Sequence, residues 1–289
     1  MLRHRIAVIS LIALVCTRSL ATETVVLTFV PRPDRVVNTE TETIYLQSIN
    51  LTGDDELVER NRARGVTFPL RLQSTGHQHI RSTTGPLAND GSFPLSLELL
   101  ESSSQTVDQI GNSVPIKSPT ADLVGMRVNA LVSPSGSVEF VSLEGGDQKP
   151  ELAKLIPQLL TSTFDSMKSL EGVALKVGES TQKSFVLDIP VPNIQTLRFS
   201  AVTTYKLLAV TGGTAKFSTS TTYVLQQPES SIQVEADGTG FGSMEYDVSR
   251  QVLQSADSEG SMKMSVRYGK GLVATTMHMR QSAVYTLQQ

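Results

Sequence analysis

A mainly β fold with one helical segment is predicted: a curved antiparallel sheet of half-barrel form, covered by a mid-chain amphipathic helix. Three observations carry this. Apolar and polar residues alternate with a period of two along most of the 289-residue chain, as on strands with one buried face. Clusters of Gly, Pro, Asn, Asp and Ser divide these runs as turns do. Between Lys149 and Leu170 alone the apolar residues recur at steps of three and four.

The chain opens on Arg3, His4 and Arg5, followed by an apolar run from Ile6 to Val15 and by Ser19-Leu20-Ala21, with small residues where a signal peptidase reads. Residues 1–21 are therefore expected to be a signal peptide, and the protein to be exported, either periplasmic or secreted. Ten apolar residues reach half-way across a hydrocarbon layer of about 30 Å at about 1.5 Å per residue, so cleavage is favoured over anchoring. No later run approaches spanning length. Cys16, the only cysteine, ends the run. Cleavage before it with lipidation is the less favoured alternative, because Ala13-Leu14-Val15 matches a lipoprotein signal poorly. Residues 22–289 then form a single β-rich domain with a helical insertion at about 149–171.

Candidate strands in the N-terminal half are 25–30, 41–49, 66–80, 93–107 and 124–132, with a turn at 83–92. Asp54-Asp55-Glu56 reads as a solvated turn. The helical stripe comprises Leu152, Leu155, Ile156, Leu159, Leu160, Phe164, Met167 and Leu170. Pro150 suits a first helical turn, whereas Pro157 predicts a kink or two short helices. Pro190-Val191-Pro192 is too proline-rich for a central strand.

Val173 to Gly178 returns the chain to the sheet, and alternating strands continue from Leu197. The apolar faces 197–209 and 215–225 coincide only across an odd loop, which predicts a three-residue turn at Gly212-Gly213. A hairpin is expected at Ser133-Pro134-Ser135-Gly136 and another around 247–251. Met262, Met264, Val266 and Tyr268 alternate with Lys263, Ser265 and Arg267, and a further strand follows Gly269-Lys270. Matching those two faces selects a two-residue turn that pairs Met262 with Met277 and Val266 with Val273.

Removing residues 1–21 takes away three arginines and no acid, moving the formal charge from -3 to -6. An acidic chain of this kind has no footprint for nucleic acid. Without disulfides, the remaining length must be held by a hydrophobic core, and it is ample for one.

Few residues announce chemistry. His77 and His79 flank Gln78 and share one strand face, a spacing open to a metal, but no Cys or further His lies nearby and solvent exposure is the preferred reading. Met262, Met264, Met277 and Met279 fall on one face. Core filling is the plainest account, an adaptable wall for an apolar ligand the next, and a Cu(I) site the last. Asp237-Gly238-Thr239-Gly240-Phe241-Gly242 lacks the following helix that a dinucleotide loop needs, so its glycines point to a bulge or tight curvature. No nucleophile elbow, zinc-protease or P-loop motif occurs. An enzyme is not expected, nor a metal or cofactor.

The segments 130–140, 204–217 and 238–248 contain a Pro-x-Gly turn, a Gly-Gly turn and a Gly-x-Gly strand leading to Tyr246-Asp247. They resemble a bacterial exported β-rich family of uncharacterised function. The order of strands, helix and strands is also distantly similar to the lipoprotein-carrier half-barrel, a likeness that implies an acyl chain held between sheet and helix. The function expected is an exported, non-catalytic envelope protein that holds a lipid or other apolar ligand there. Its site residues are Leu155, Leu159, Phe164 and Met167 from the helix and Met262, Met264, Met277 and Met279 from the sheet. The alternative is an interaction or scaffold module for an envelope protein, with no small-molecule ligand.

Overall fold

The computed structural model describes residues 24–115, 123–145, 156, 160, 164, 168, 170–191, 195–226 and 233–288. The signal segment, Cys16, Leu155, Leu159 and Met167 lie outside the described residues. The elements in chain order are β1 (Thr24–Val26), β2 (Val36–Thr52), α1 (Asp55–Ala63), β3 (Leu70–Thr84), β4 (Phe93–Asp108), β5 (Arg127–Val132), β6 (Val138–Glu144) and β7 (Ala174–Lys176). They continue as β8 (Ser180–Val191), β9 (Gln195–Thr211), β10 (Thr214–Leu225), β11 (Gln233–Asp247), β12 (Val252–Tyr268) and β13 (Gly271–Gln288).

Eleven strands form one antiparallel sheet in the order β6-β5-β4-β3-β2-β13-β12-β11-β10-β9-β8, open at both edges, and β1 pairs with β7 apart from it. The chain is thus two meanders joined at their centre, where β2 pairs with β13 from Val36–Gln288 to Thr52–Leu272. Because β6 and β8 are opposite edges, the connection between them must cross the sheet. That connection carries the residues Ile156, Leu160, Phe164 and Lys168, all in α-helical conformation.

The sheet is strongly curved. The Phe29 ring lies 5.6 Å from the ring of Tyr246 on β11, while its neighbour Val30 packs against Phe93, Leu95, Ala130, Val132 and Val138 of β4 to β6. In a flat sheet β5 and β11, six places apart, would be separated by about 29 Å at roughly 4.8 Å per strand. Consecutive residues touch both only because the sheet curls around them.

Three buried clusters mark the inner face. The first joins Val25, Leu27 and Leu175 to Leu207, Phe217 and Tyr246. The second sets Leu160 and Phe164 on β4 to β6. The third, Leu197, Phe199, Val234 and Val266, packs with Met262 and Met264. The outer face carries the alternating partners, such as Glu40, Glu42, Lys263 and Arg267.

Met262 pairs with Met277 and Val266 with Val273 across the Gly269-Lys270 turn, as the face-matching argument requires. The hairpins at 133–137 and 247–252 form, and the proline-bearing β8 lies at an edge. Three expectations are corrected. The β9–β10 turn has two residues, Gly212 and Gly213, at φ 59° and 81°, which only glycine adopts readily. The faces still match, because Leu208 bulges out of β9 between the pairs Lys216–Ala209 and Phe217–Leu207. Of the bulge or tight curvature expected at Gly238–Gly242, the bulge is likewise corrected, since the shift in that ladder lies at Glu245/Tyr246, and the close approach of neighbouring backbone to Gly238 and Gly242 fits the curvature.

The third correction concerns Asp54-Asp55-Glu56, which begins a helix. Asp54 caps α1 by accepting a 2.9 Å hydrogen bond from the Leu57 amide, with Asp55 and Glu56 in the first turn and Arg60 and Arg62 in the last. None of its residues is buried, so no apolar stripe announces it. Asp54→Ala is expected to weaken this helix by about 1 kcal/mol, read as roughly fivefold faster amide exchange at Leu57 and Val58. Unchanged exchange there would refute the cap's role.

Candidate functional site

The inner face is not filled. A cavity of about 240 Å³ lies between the curled sheet and the segment 28–32 that crosses it. Its floor is Val37 and Thr39 of β2, Ile80 and Ser82 of β3, Leu97 of β4 and Tyr285 of β13; Phe29, Val30 and Phe164 cover it. These floor residues share a face because the register pairs Thr39 with both Ile80 and Tyr285. A second hollow of about 230 Å³ shares Ile80 and Leu97 and extends under Ile156. The two hollows adjoin at Ile80 and Leu97 as a trough beneath Phe164 and Ile156, each part somewhat below the roughly 300–1,000 Å³ of small-ligand sites.

Long-range bonds hold the cover in place. The Tyr246 hydroxyl accepts from the Thr28 amide and donates to the Thr28 carbonyl, both at 3.2 Å. Glu171 Oε2 accepts from the amides of Phe29 at 3.1 Å and Val30 at 3.3 Å. Thr84 Oγ1 donates to the Arg32 carbonyl at 2.5 Å and accepts from the Arg35 amide at 2.9 Å. Burial pushes the Tyr285 phenol above its ordinary value, so it faces the trough as a neutral hydroxyl.

A separate cavity of about 300 Å³ brings together two motifs that stand apart in the sequence. Met262, Met277, Met279, Tyr45 and Tyr223 wall it, and Gly240 and Gly260, directly paired, lie in its floor. Glycines leave the sheet backbone bare there, which is what makes the hollow.

The expected site residues therefore divide. Phe164 covers the helical trough, whereas Met262, Met277 and Met279 line the glycine-floored hollow; Met264 packs instead with Val234 and Val266. Tyr285 and Met279 are six residues apart on β13, about 20 Å. His77 and His79 pair with Glu42 and Glu40 on the outer face, and among the described residues no three His, Cys, Asp or Glu side chains converge as metal ligands. Sequence reasoning missed Arg32, Arg35 and Thr84. No local pattern marks them; only the turn-rich Pro31 to Arg35 stretch hints at a chain crossing rather than continuing a strand.

No protein-family model matches the chain, and no curated protein does either. Among solved structures it is similar to one described as lipid–protein interactions in lipovitellin, at a TM-score of 0.44 and 12% identity, over 89% of this chain and 26% of that one. It thus spans about a quarter of that chain's length. It is also similar to an outer membrane channel from Pseudomonas putida F1, at a TM-score of 0.27 and 6% identity, over 89% and 97% of the two chains. A third, of unknown function from Nostoc punctiforme PCC 73102, gives a TM-score of 0.14 and 13% identity, over 81% and 94%. Among the described residues no helix is long and apolar enough to cross a membrane.

Proposed function

We propose that the protein is an exported, non-catalytic envelope protein that holds a lipid or other apolar ligand in the trough between its curved sheet and its mid-chain helical residues. The observation that carries this reading is the trough itself. Its walls are mostly apolar, it is roofed by Phe29, Val30 and Phe164, and its cover is tied down by bonds from Tyr246, Glu171 and Thr84. An apolar hollow that side chains leave unfilled forfeits dispersion contacts, and an acyl chain restores them. The glycine-floored methionine hollow offers an adaptable second wall of the same character.

Gently purified protein, examined by native mass spectrometry, is expected to carry an adduct of lipid mass that organic extraction removes. Bare protein that also fails to take up Nile red would overturn the reading.

A second reading, an envelope interaction module, is favoured by one feature. Val186, Val202 and Val224 lie on neighbouring strands of the outer face beside the β8 edge, at 50%, 36% and 55% exposure. An open edge with exposed valines is a surface that another chain can pair with. Bare protein in the same spectrum, together with a partner crosslinked through β8, is the result this reading expects.

A further inference from the structure

Two guanidinium groups, Arg32 and Arg35, line the same rim of the helical trough. One hydroxyl ties their backbones together, since Thr84 Oγ1 bonds the carbonyl of the first and the amide of the second. Among the described residues one carboxylate pairs with either of them. Glu171 Oε1 reaches Arg32 at 3.5 Å, a long pairing, and its Oε2 is occupied by the amides of Phe29 and Val30. Arg32 Nε is buried without a hydrogen-bond partner. Arg35 Nη1 donates to the carbonyls of Arg250 at 2.7 Å and Gln251 at 3.4 Å, and among the described residues no carboxylate pairs with it. Among the described residues the rim therefore carries an excess of one positive charge beside an apolar hollow. Buried donors without partners are costly, and a guanidinium's preferred partner is a planar or tetrahedral anion.

We propose that the ligand is an anionic amphiphile whose carboxylate or phosphate head sits between Arg32 and Arg35 while its alkyl chain runs under Phe164 toward Ile156. This rests on the trough being the ligand site and adds the class of ligand. The head pairs with the guanidinium ends of Arg32 and Arg35 and neutralises the excess charge. The alkyl chain meets Ile80, Leu97 and Val37.

The test uses delipidated full-length protein loaded with Nile red and displaced by decanoate, decyl phosphate or decanol. Decanoate and decyl phosphate are expected to displace the dye at concentrations about tenfold or more below decanol, with the margin shrinking as salt is raised. Whichever of the two anions is stronger identifies a carboxylate or a phosphate head, and inorganic phosphate alone is expected to displace nothing. In the R32Q/R35Q variant the advantage over decanol is expected to vanish. Equal displacement by all three amphiphiles in the wild type would overturn the head-group inference and leave the apolar trough standing. Failure of all three amphiphiles to displace the dye, or of the dye to bind, would overturn both. The wild-type comparison decides the matter even where the variant does not fold.

Discussion

Replacing Tyr246 with alanine is expected to cost about 3–5 kcal/mol, the range for removing a large buried aromatic side chain. Tyr246 is fully buried, in a cluster with Val25, Leu27, Leu207 and Phe217, and its ring lies tilted against Phe29. Its hydroxyl also completes both backbone groups of Thr28. The substitution therefore opens a cavity and at the same time unties the segment that roofs the trough. Urea unfolding should show the loss, and ligand retention should fall with it, because Phe29 and Val30 follow Thr28. Tyr246→Phe separates the two effects. It keeps the packing and removes the hydroxyl, leaving Thr28 with an unpaired amide and carbonyl at a cost of about 1–3 kcal/mol. Burial pushes the Tyr246 phenol above its ordinary value, outweighing the bonds to Thr28 that favour its ionised form. The phenol's contribution is thus complete below about pH 10 and is lost as pH rises through the higher folded value. A Tyr246→Ala protein within 1 kcal/mol of wild type would show that the 28–32 segment is held by something else.

Gly242→Ala should be the next most damaging change, at the upper end of the roughly 1–3 kcal/mol typical of overpacking. An added Cβ would stand 2.4 Å from the Asp257 carbonyl oxygen and 2.7 Å from Thr219 Oγ1. The first of these is backbone in a strand paired on both sides, so relief requires β12 itself to shift. Gly240, two residues earlier on the same face, is the control. A Cβ there meets nothing closer than 3.5 Å, so Gly240→Ala is expected to stabilise by about 0.5–1 kcal/mol through reduced unfolded-state freedom. Thermal unfolding of the two variants decides it. Equal shifts would mean that the tight approach of β11 to β12 relaxes freely. Because Gly240 is in the floor of the methionine hollow, its alanine variant should also narrow that hollow without loss of fold.

The register of β12 and β13 was legible to the residue, since alternation and loop parity are local and each admits few solutions. The β9–β10 turn was misread by the same rule. Parity demanded one extra residue, and the fold placed it at Leu208 within the strand, where an outward bulge leaves a two-glycine turn intact. Helix α1 escaped because it buries nothing; capping and charge hold it, and neither leaves a period. The methionine face was visible from spacing, whereas its meeting with the glycine strand depended on β11 lying beside β12.

The sequence by itself determined that the chain is mainly a run of antiparallel strands, where most turns lie, and which side of each strand faces inward. Those features arise from neighbours a few residues apart. Only the tertiary structure decided the trough and its rim. Arg32 meets Glu171 across 139 residues, Arg35 meets Arg250 across 215, and Tyr246 meets Thr28 across 218. Such pairs come together because β2 closes against β13 and the sheet curls, and no periodicity in a single strand encodes that closure.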